Sequence, residues 1–151
     1  MTPLAVSAIT VTSALGRGLA AQREALRQGR SGLRRNDFGS APQLGWIGRV
    51  DGVEAMALPP ALASWDCRNN RLAWLGLQQD GFLDRVRAAR ERYGARRVAL
   101  LLGTSTASIG ATEEAYRRLD DANRFPADLR RPALPAPDSL GAFAAAALAL
   151  E

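Results

Sequence analysis

Histidine does not occur anywhere in this sequence of 151 residues. It is the commonest general base and metal ligand near neutral pH, so its absence excludes serine–histidine and cysteine–histidine catalysis between residues of this chain. Cysteine occurs once, at Cys67, and a single cysteine cannot form a disulfide within the chain. Because this cysteine usage fits a reducing compartment, we expect a cytoplasmic protein.

Lysine is also absent, so all 20 basic residues are arginines, set against 15 acids for a formal charge of +5. Such a charge fits an acidic partner, or simply a compositional preference for arginine spread over a solvated surface. Aromatic residues make up only 6% of the chain and do not interleave with the arginines, as a base-stacking surface would require. We therefore expect no nucleic-acid partner.

Long hydrophobic runs are missing as well. The apolar stretch after Ser139 is too short to span a bilayer, and no basic segment precedes an apolar one at the start, as in a signal peptide. With 47% hydrophobic and 23% charged residues, the composition is typical of a globular protein. The length of 151 residues fits one domain or a piece of a larger one.

Hydrophobic periodicity predicts strands alternating with helices, which is the pattern of an α/β layered domain. Strands are expected at 5–12, 46–50 and 98–102, the last buried on both faces. Helices are expected at 19–27, 68–93, 109–119 and 139–150. Asp66 is the expected N-cap of the long helix and Gly94 its end, with Gly76 and Gly81 as possible interruptions.

A glycine pattern lies at the start of the first helix. Gly16, Gly18 and Ala21 fit the G-x-G-x-x-A form of the dinucleotide fingerprint. However, the next acid at a strand end, Asp51, lies far beyond the usual spacing of about 20 residues. We therefore favour a structural turn and expect no NAD or ATP binding.

Small residues follow the strand predicted at 98–102, beginning with Gly103, Thr104, Ser105 and Thr106. They would allow a ligand to approach the backbone closely, and the next helix could offer amides to an anion. The alternative is a tight strand-to-helix connection, and the Gly-Lys-Ser/Thr ending of a P-loop is missing.

Cys67 adjoins Arg68 and lies near Arg71, which would favour a reactive thiolate. Without a histidine to act with it, we interpret Cys67 as an ordinary residue near a helix start, and we expect it to form no acyl-enzyme.

The order of these segments resembles the opening of β-ketoacyl-[acyl carrier protein] synthases. Residues 9–18 (ITVTSALGRG) resemble their S/T-P-L-G-x-G turn, and 24–33 (EALRQGRSGL) their L-x-x-G-x-S-G-I segment. Residues 66–71 (DCRNNR) resemble D-R-x-x-x-R, and 98–104 (VALLLGT) resemble V-x-x-x-x-G-T/S. Residues 139–150 resemble the small-residue helix before the nucleophile strand. Ala14 replaces the usual proline and Leu33 the usual isoleucine.

The resemblance implies a thiolase-like fold, of which residues 1–151 would form an incomplete N-terminal β-ketoacyl synthase domain. The family condenses acyl and malonyl thioesters, with decarboxylation, in fatty-acid or polyketide biosynthesis. Its nucleophilic cysteine would follow Glu151, so no catalytic residue is assigned within this chain. The resemblance implies no metal and no cofactor.

Acyl carrier protein is the partner that the resemblance implies, with Arg68 and Arg71 as the expected docking residues and Gly103, Thr104, Ser105 and Thr106 as the expected acyl-pocket loop. A homodimer or heterodimer is expected too, because the apolar helix at 139–150 needs cover. A non-catalytic partner subunit of a synthase heterodimer and a Rossmann-like nucleotide-binding domain are the alternatives.

Overall fold

A computed structural model describes residues 3–39, 42–104, 108–127 and 138–150. Within these ranges the chain is mixed α/β. Its helices are α1 Gly18–Arg27, α2 Arg68–Leu77, α3 Phe82–Tyr93, α4 Ile109–Arg117 and α5 Ser139–Leu148. Its strands are β1 Thr12–Ser13, β2 Gly16–Arg17, β3 Leu33–Arg35 and β4 Trp46–Gly48. Short 3-10 helices occupy Pro60–Trp65 and Ala95–Arg97.

The first hairpin pairs β1 with β2 in antiparallel register and leads directly into α1. Gly16 has a φ of 140°, and a Cβ on it would lie 2.7 Å from the Cβ of Ala21. The buried Gln22 fixes the hairpin further, since its Nε2 donates to the Gly16 carbonyl at 2.7 Å and its Oε1 accepts from Ser13 Oγ at 2.9 Å. The turn therefore packs against the first turns of α1.

The second sheet pairs β3 with β4, with Arg34 opposite Ile47. The strand predicted at 46–50 is thus confirmed over its first three residues. Its partner β3 lies where the sequence predicted only a loop, because Leu33–Arg35 has no alternating pattern that would mark a strand.

The largest buried side chains lie where α5 packs against α2 and the 3-10 helix at Pro60–Trp65. Phe143 and Leu75 are fully buried, and Leu62 and Leu148 nearly so. The prediction that the 139–150 helix is buried is confirmed for Phe143 and Leu148, whereas Leu140 and Leu150 are only half-buried. Because α5 packs on other elements of the same chain, this helix alone gives no reason for the expected oligomer.

The long helix predicted at 68–93 is two helices. The chain turns between α2 and α3, where Asp80 and Gly81 both have positive φ values, 57° and 68°. The predicted end at Gly94 is confirmed, with a φ of 84° and its amide donating to the Arg90 carbonyl at 2.8 Å. The predicted N-cap is wrong: Cys67 holds that position, because Asp66 is instead bound to Arg71.

Two predicted strands are wrong. Of residues 5–12 only Thr12 lies in a strand, and residues 98–102 form none. The side chains of Val6 and Leu101 are 76% and 90% exposed, although the sequence predicted residues 98–102 to be buried on both faces. The physical reason is that neither segment has a neighbouring strand among the described residues. The α/β class holds, but the layered sheet is not formed in this part of the chain.

No helix in the described ranges has both the length and the apolar character needed to cross a bilayer. The irregular connection predicted at 125–137 lies mostly outside the described residues.

Candidate functional site

A chain of buried thiol and hydroxyl groups joins the starts of three helices. Cys67 is the N-cap of α2, Ser108 is the N-cap of α4, and Ser139 is the first residue of α5. The Cys67 Sγ lies 3.4 Å from Ser108 Oγ, which lies 3.3 Å from Ser139 Oγ. All three residues are buried. The thiol is therefore hydrogen-bonded to a hydroxyl rather than exposed to solvent.

A cavity of about 570 Å³ lies beside Cys67 and Ser108. Apolar side chains from three parts of the chain line it: Phe38, Leu72 and Ile109. Its polar lining includes Arg68, Asn69, Glu113 and Arg117. The cavity has the volume and the mixed lining typical of sites for small organic molecules. Among the described lining residues, Glu113 provides the one carboxylate, and it is paired with Arg117 at 3.3 Å, so these residues bring no free general base to Cys67.

Arg68 and Arg71 share one face of α2, as their spacing predicts, because both reach Glu54. The Arg68 Nε donates to the Glu54 carboxylate at 3.1 Å, and the Arg71 Nη1 donates to the Glu54 carbonyl at 3.2 Å. Arg71 also donates two hydrogen bonds of 2.6 Å to the carboxylate of Asp66. These hydrogen bonds raise the pKa of Arg71. Arg71, in the second turn of α2, is thus hydrogen-bonded to Asp66, which directly precedes the N-cap of this helix.

Arg49 extends these contacts, with its guanidinium 2.9 Å from the Asp37 carboxylate and 3.6 Å from that of Glu54. The hydrogen bond from Arg49 lowers the pKa of Asp37. Backbone hydrogen bonding, followed by the Arg68 contact, lowers the pKa of Glu54. We call this group the Glu54 network; it consists of Asp37, Arg49, Glu54, Asp66, Arg68 and Arg71.

The Glu54 network has three acids and three arginines, so its formal charges cancel. An acidic protein that docks on Arg68 must therefore compete with the Glu54 carboxylate. Arg68 is the more available of the two predicted docking residues. Its side chain is 45% exposed and contacts one carboxylate and the ring of Phe38, at 5.0 Å from its centroid.

The predicted acyl-pocket loop is described only in its first half. Thr104 lines a second cavity, of about 530 Å³, between residues 98–104 and α5. Gly141 and Ala145 form part of its wall on α5. Within the described part of the chain, a Cβ on Gly103 would meet no atom within 4 Å. Ser105 and Thr106 lie outside the described residues.

At the predicted dinucleotide fingerprint, the start of α1 is occupied by the side chain of Asp80. Both carboxylate oxygens accept from the Leu19 amide, at 3.0 and 3.1 Å, and one also accepts from Thr10 Oγ1 at 3.0 Å. A pyrophosphate at this helix start would compete with Asp80 for the Leu19 amide and would meet a like charge. The geometry therefore favours the structural turn. Sequence reasoning missed Asp80, because 61 residues separate it from Leu19.

Comparisons with family models, with curated proteins and with solved structures gave no match. Among the described residues, no group of three or more metal-binding side chains comes together.

Proposed function

We propose that this chain is the N-terminal part of a condensing enzyme of the β-ketoacyl-[acyl carrier protein] synthase type, with a thiolase-like fold. The complete enzyme would join acyl and malonyl thioesters with loss of carbon dioxide, in fatty-acid or polyketide biosynthesis. The observation that carries the proposal is the collinear order of the family-like segments at 9–18, 24–33, 66–71, 98–104 and 139–150.

In two of these segments, the structure shows a packing or pairing role for the residues that resemble the family. In 66–71, Arg71 donates two hydrogen bonds to the Asp66 carboxylate, and this pair fixes the direction in which α2 leaves the preceding turn. In 139–150 the small residues let α5 pack closely, with Ala144 buried beside Phe143. Both contacts are compatible with the proposed family and support it indirectly.

We propose that this chain binds acyl carrier protein and that its own residues do not catalyse the condensation. It contains no histidine, and its only thiol is buried against Ser108. The second candidate is a non-catalytic subunit that shapes the acyl tunnel of a synthase heterodimer, and it gives this chain the same binding role. In both cases Arg68 would contact the acidic surface of acyl carrier protein, while Arg71 acts as a positioning residue.

The first prediction concerns this docking. Arg68→Glu should weaken the binding of acyl carrier protein at low salt by about fivefold, corresponding to roughly 1 kcal/mol for an exposed charge contact. Glu54→Gln should strengthen binding, because it removes the carboxylate that competes for Arg68. Titration of labelled carrier protein, followed by NMR at low and at high salt, measures both effects, which should shrink at high salt.

Arg27→Glu is the matched control. Arg27 lies on α1 and is also paired with an exposed glutamate, Glu24, at 3.3 Å. If Arg27→Glu and Arg68→Glu weaken binding equally, the docking assignment fails. If the unaltered chain binds no acyl carrier protein but binds NAD or ATP at micromolar concentration, the nucleotide-binding alternative replaces the proposal.

A further inference from the structure

The helix α3 and the 3-10 helix that follows it are strongly basic. Residues 82–97 contain six arginines and two acids, which gives this segment a net charge of +4. Its apolar residues Phe82 and Val86 are half-buried, whereas Arg85 and Arg92 are exposed. The helix therefore turns an apolar side toward the rest of the chain and an arginine-bearing side toward solvent.

The exposed arginines of α3 differ in their acidic neighbours. Arg87 pairs with Asp84 at 2.8 Å. Within the described ranges, neither Arg85 nor Arg92 forms an ion pair. In the Glu54 network, by contrast, every arginine lies against a carboxylate of the same chain. Two guanidinium groups on the exposed side of α3 are therefore available to acids from another molecule.

Stabilisation of α3 itself does not account for Arg85. It is the fourth residue of the helix, near the positive end of the macrodipole, where an acid such as Asp84 is favourable and a cation is not. Arg92 is held in place by the ring of Tyr93, whose centroid lies 5.1 Å from its guanidinium carbon. The two arginines are seven positions apart, so they lie on one side of the helix and two turns from each other.

A row of opposite charge runs beside these arginines. Asp84 and Glu91 are also seven positions apart, and both are exposed. A nucleic-acid backbone or an anionic membrane presents negative charge uniformly and would be repelled by this row. A protein can place acids opposite the arginines and neutral or basic residues opposite Asp84 and Glu91. The alternation of sign across α3 therefore fits a protein surface better than a uniform polyanion.

We propose that this face of α3 docks an acidic helix of a partner protein, whose carboxylates lie seven positions apart and contact Arg85 and Arg92. Carboxylates with that spacing lie two turns apart on the partner helix as well, so both contacts can form at once. Bidentate pairing of guanidinium with carboxylate fixes the orientation of the two helices. The surface contains no residue of the Glu54 network, so the proposal does not depend on carrier docking at Arg68.

The test measures the binding of two synthetic helical peptides at low salt. One peptide carries glutamates seven positions apart on one side, and the other has the same composition with its glutamates spread over all sides. The first should bind more tightly. Arg85→Glu combined with Arg92→Glu should weaken its binding at least about tenfold, equivalent to about 1.4 kcal/mol. Arg23→Glu combined with Arg27→Glu makes the same change of charge at exposed positions of α1, and this matched control should weaken binding less than about threefold.

Equal weakening by the two double substitutions overturns the proposal, since binding would then follow net charge alone. Equal affinity for the two peptides, or no binding of the first, overturns it as well, because the spacing of the carboxylates would not matter. Tighter binding of a single-stranded DNA or of phosphatidylserine vesicles than of the first peptide would replace the acidic helix with a phosphate ligand. Circular dichroism checks that each variant keeps its helix content.

Discussion

At the scale of single residues, Asp80 does more for the fold than its position suggests. Its carboxylate holds the Leu19 amide at the start of α1 and the hydroxyl of Thr10, while its own backbone has a φ of 57°. Aspartate tolerates this left-handed conformation better than most residues. One side chain therefore joins the turn between α2 and α3 to the first hairpin and α1.

We expect Asp80→Ala to lower the free energy of unfolding by about 1–2 kcal/mol, because it removes a cap and places alanine in a left-handed conformation. Asp80→Asn should lie close to the unaltered protein, since its amide oxygen still accepts and asparagine tolerates the same φ. Asp80→Gly should fall between them, because glycine relieves only the backbone strain. Urea unfolding measures the free energy of unfolding of all three variants. Equal stability of the alanine and asparagine variants would contradict the stabilising role of the side-chain oxygen that accepts from the Leu19 amide.

Residue identities predicted local geometry well and distant contacts poorly. Gly94 was recognised as a helix end, because a positive φ directly after a helix favours glycine whatever the rest of the chain does. Arg68 and Arg71 were placed on one face of α2 by helical periodicity alone. The pairing of Arg68 with Glu54 depends on contacts 14 residues apart in sequence, and no local pattern reports it.

At the scale of secondary structure elements, α5 depends on one large side chain. Phe143 is fully buried where this otherwise alanine-rich helix packs against α2. We expect Phe143→Ala to lower the free energy of unfolding by about 3–5 kcal/mol, because it removes apolar contacts and leaves a cavity. That is a large part of the usual 5–15 kcal/mol of a small domain.

Ala146→Ser is the control for this prediction. Ala146 lies on the exposed side of the same helix, so its substitution should change stability by less than about 0.5 kcal/mol. Thermal or urea unfolding of both variants compares their losses of stability. If Phe143→Ala costs no more than Ala146→Ser, α5 is not the centre of the core.

Helices were predicted more accurately than strands, for a physical reason. The hydrogen bonds of α1, α4 and α5 lie within each helix, so the sequence of the helix alone contains the signal. A strand exists only beside another strand, and the apolar patterns at 5–12 and 98–102 report suitability for pairing but not the presence of a partner. The break between α2 and α3 was anticipated at Gly81, but the left-handed Asp80 beside it was not.

At the scale of the whole molecule, the described residues divide into a packed part and an open part. The packed part contains α2, α5 and the 3-10 helix at Pro60–Trp65, and the Glu54 network includes Arg68 and Arg71 of α2. The open part contains the two uncharged segments at 3–11 and 98–103. Arg68, on which the proposed carrier docking depends, lies on α2 in the packed part.

The open segments lead to a prediction about hydrogen exchange. Among the described residues, the amides of 4–10 and 99–103 form no hydrogen bond with other backbone groups, so their exchange should be fast. Amides of α2 and α5 should exchange slowly, because their hydrogen bonds lie within helices that pack against each other. Hydrogen-exchange mass spectrometry measures both rates. Protection of 4–10 or 99–103 comparable with that of α2 would contradict the division into a packed and an open part.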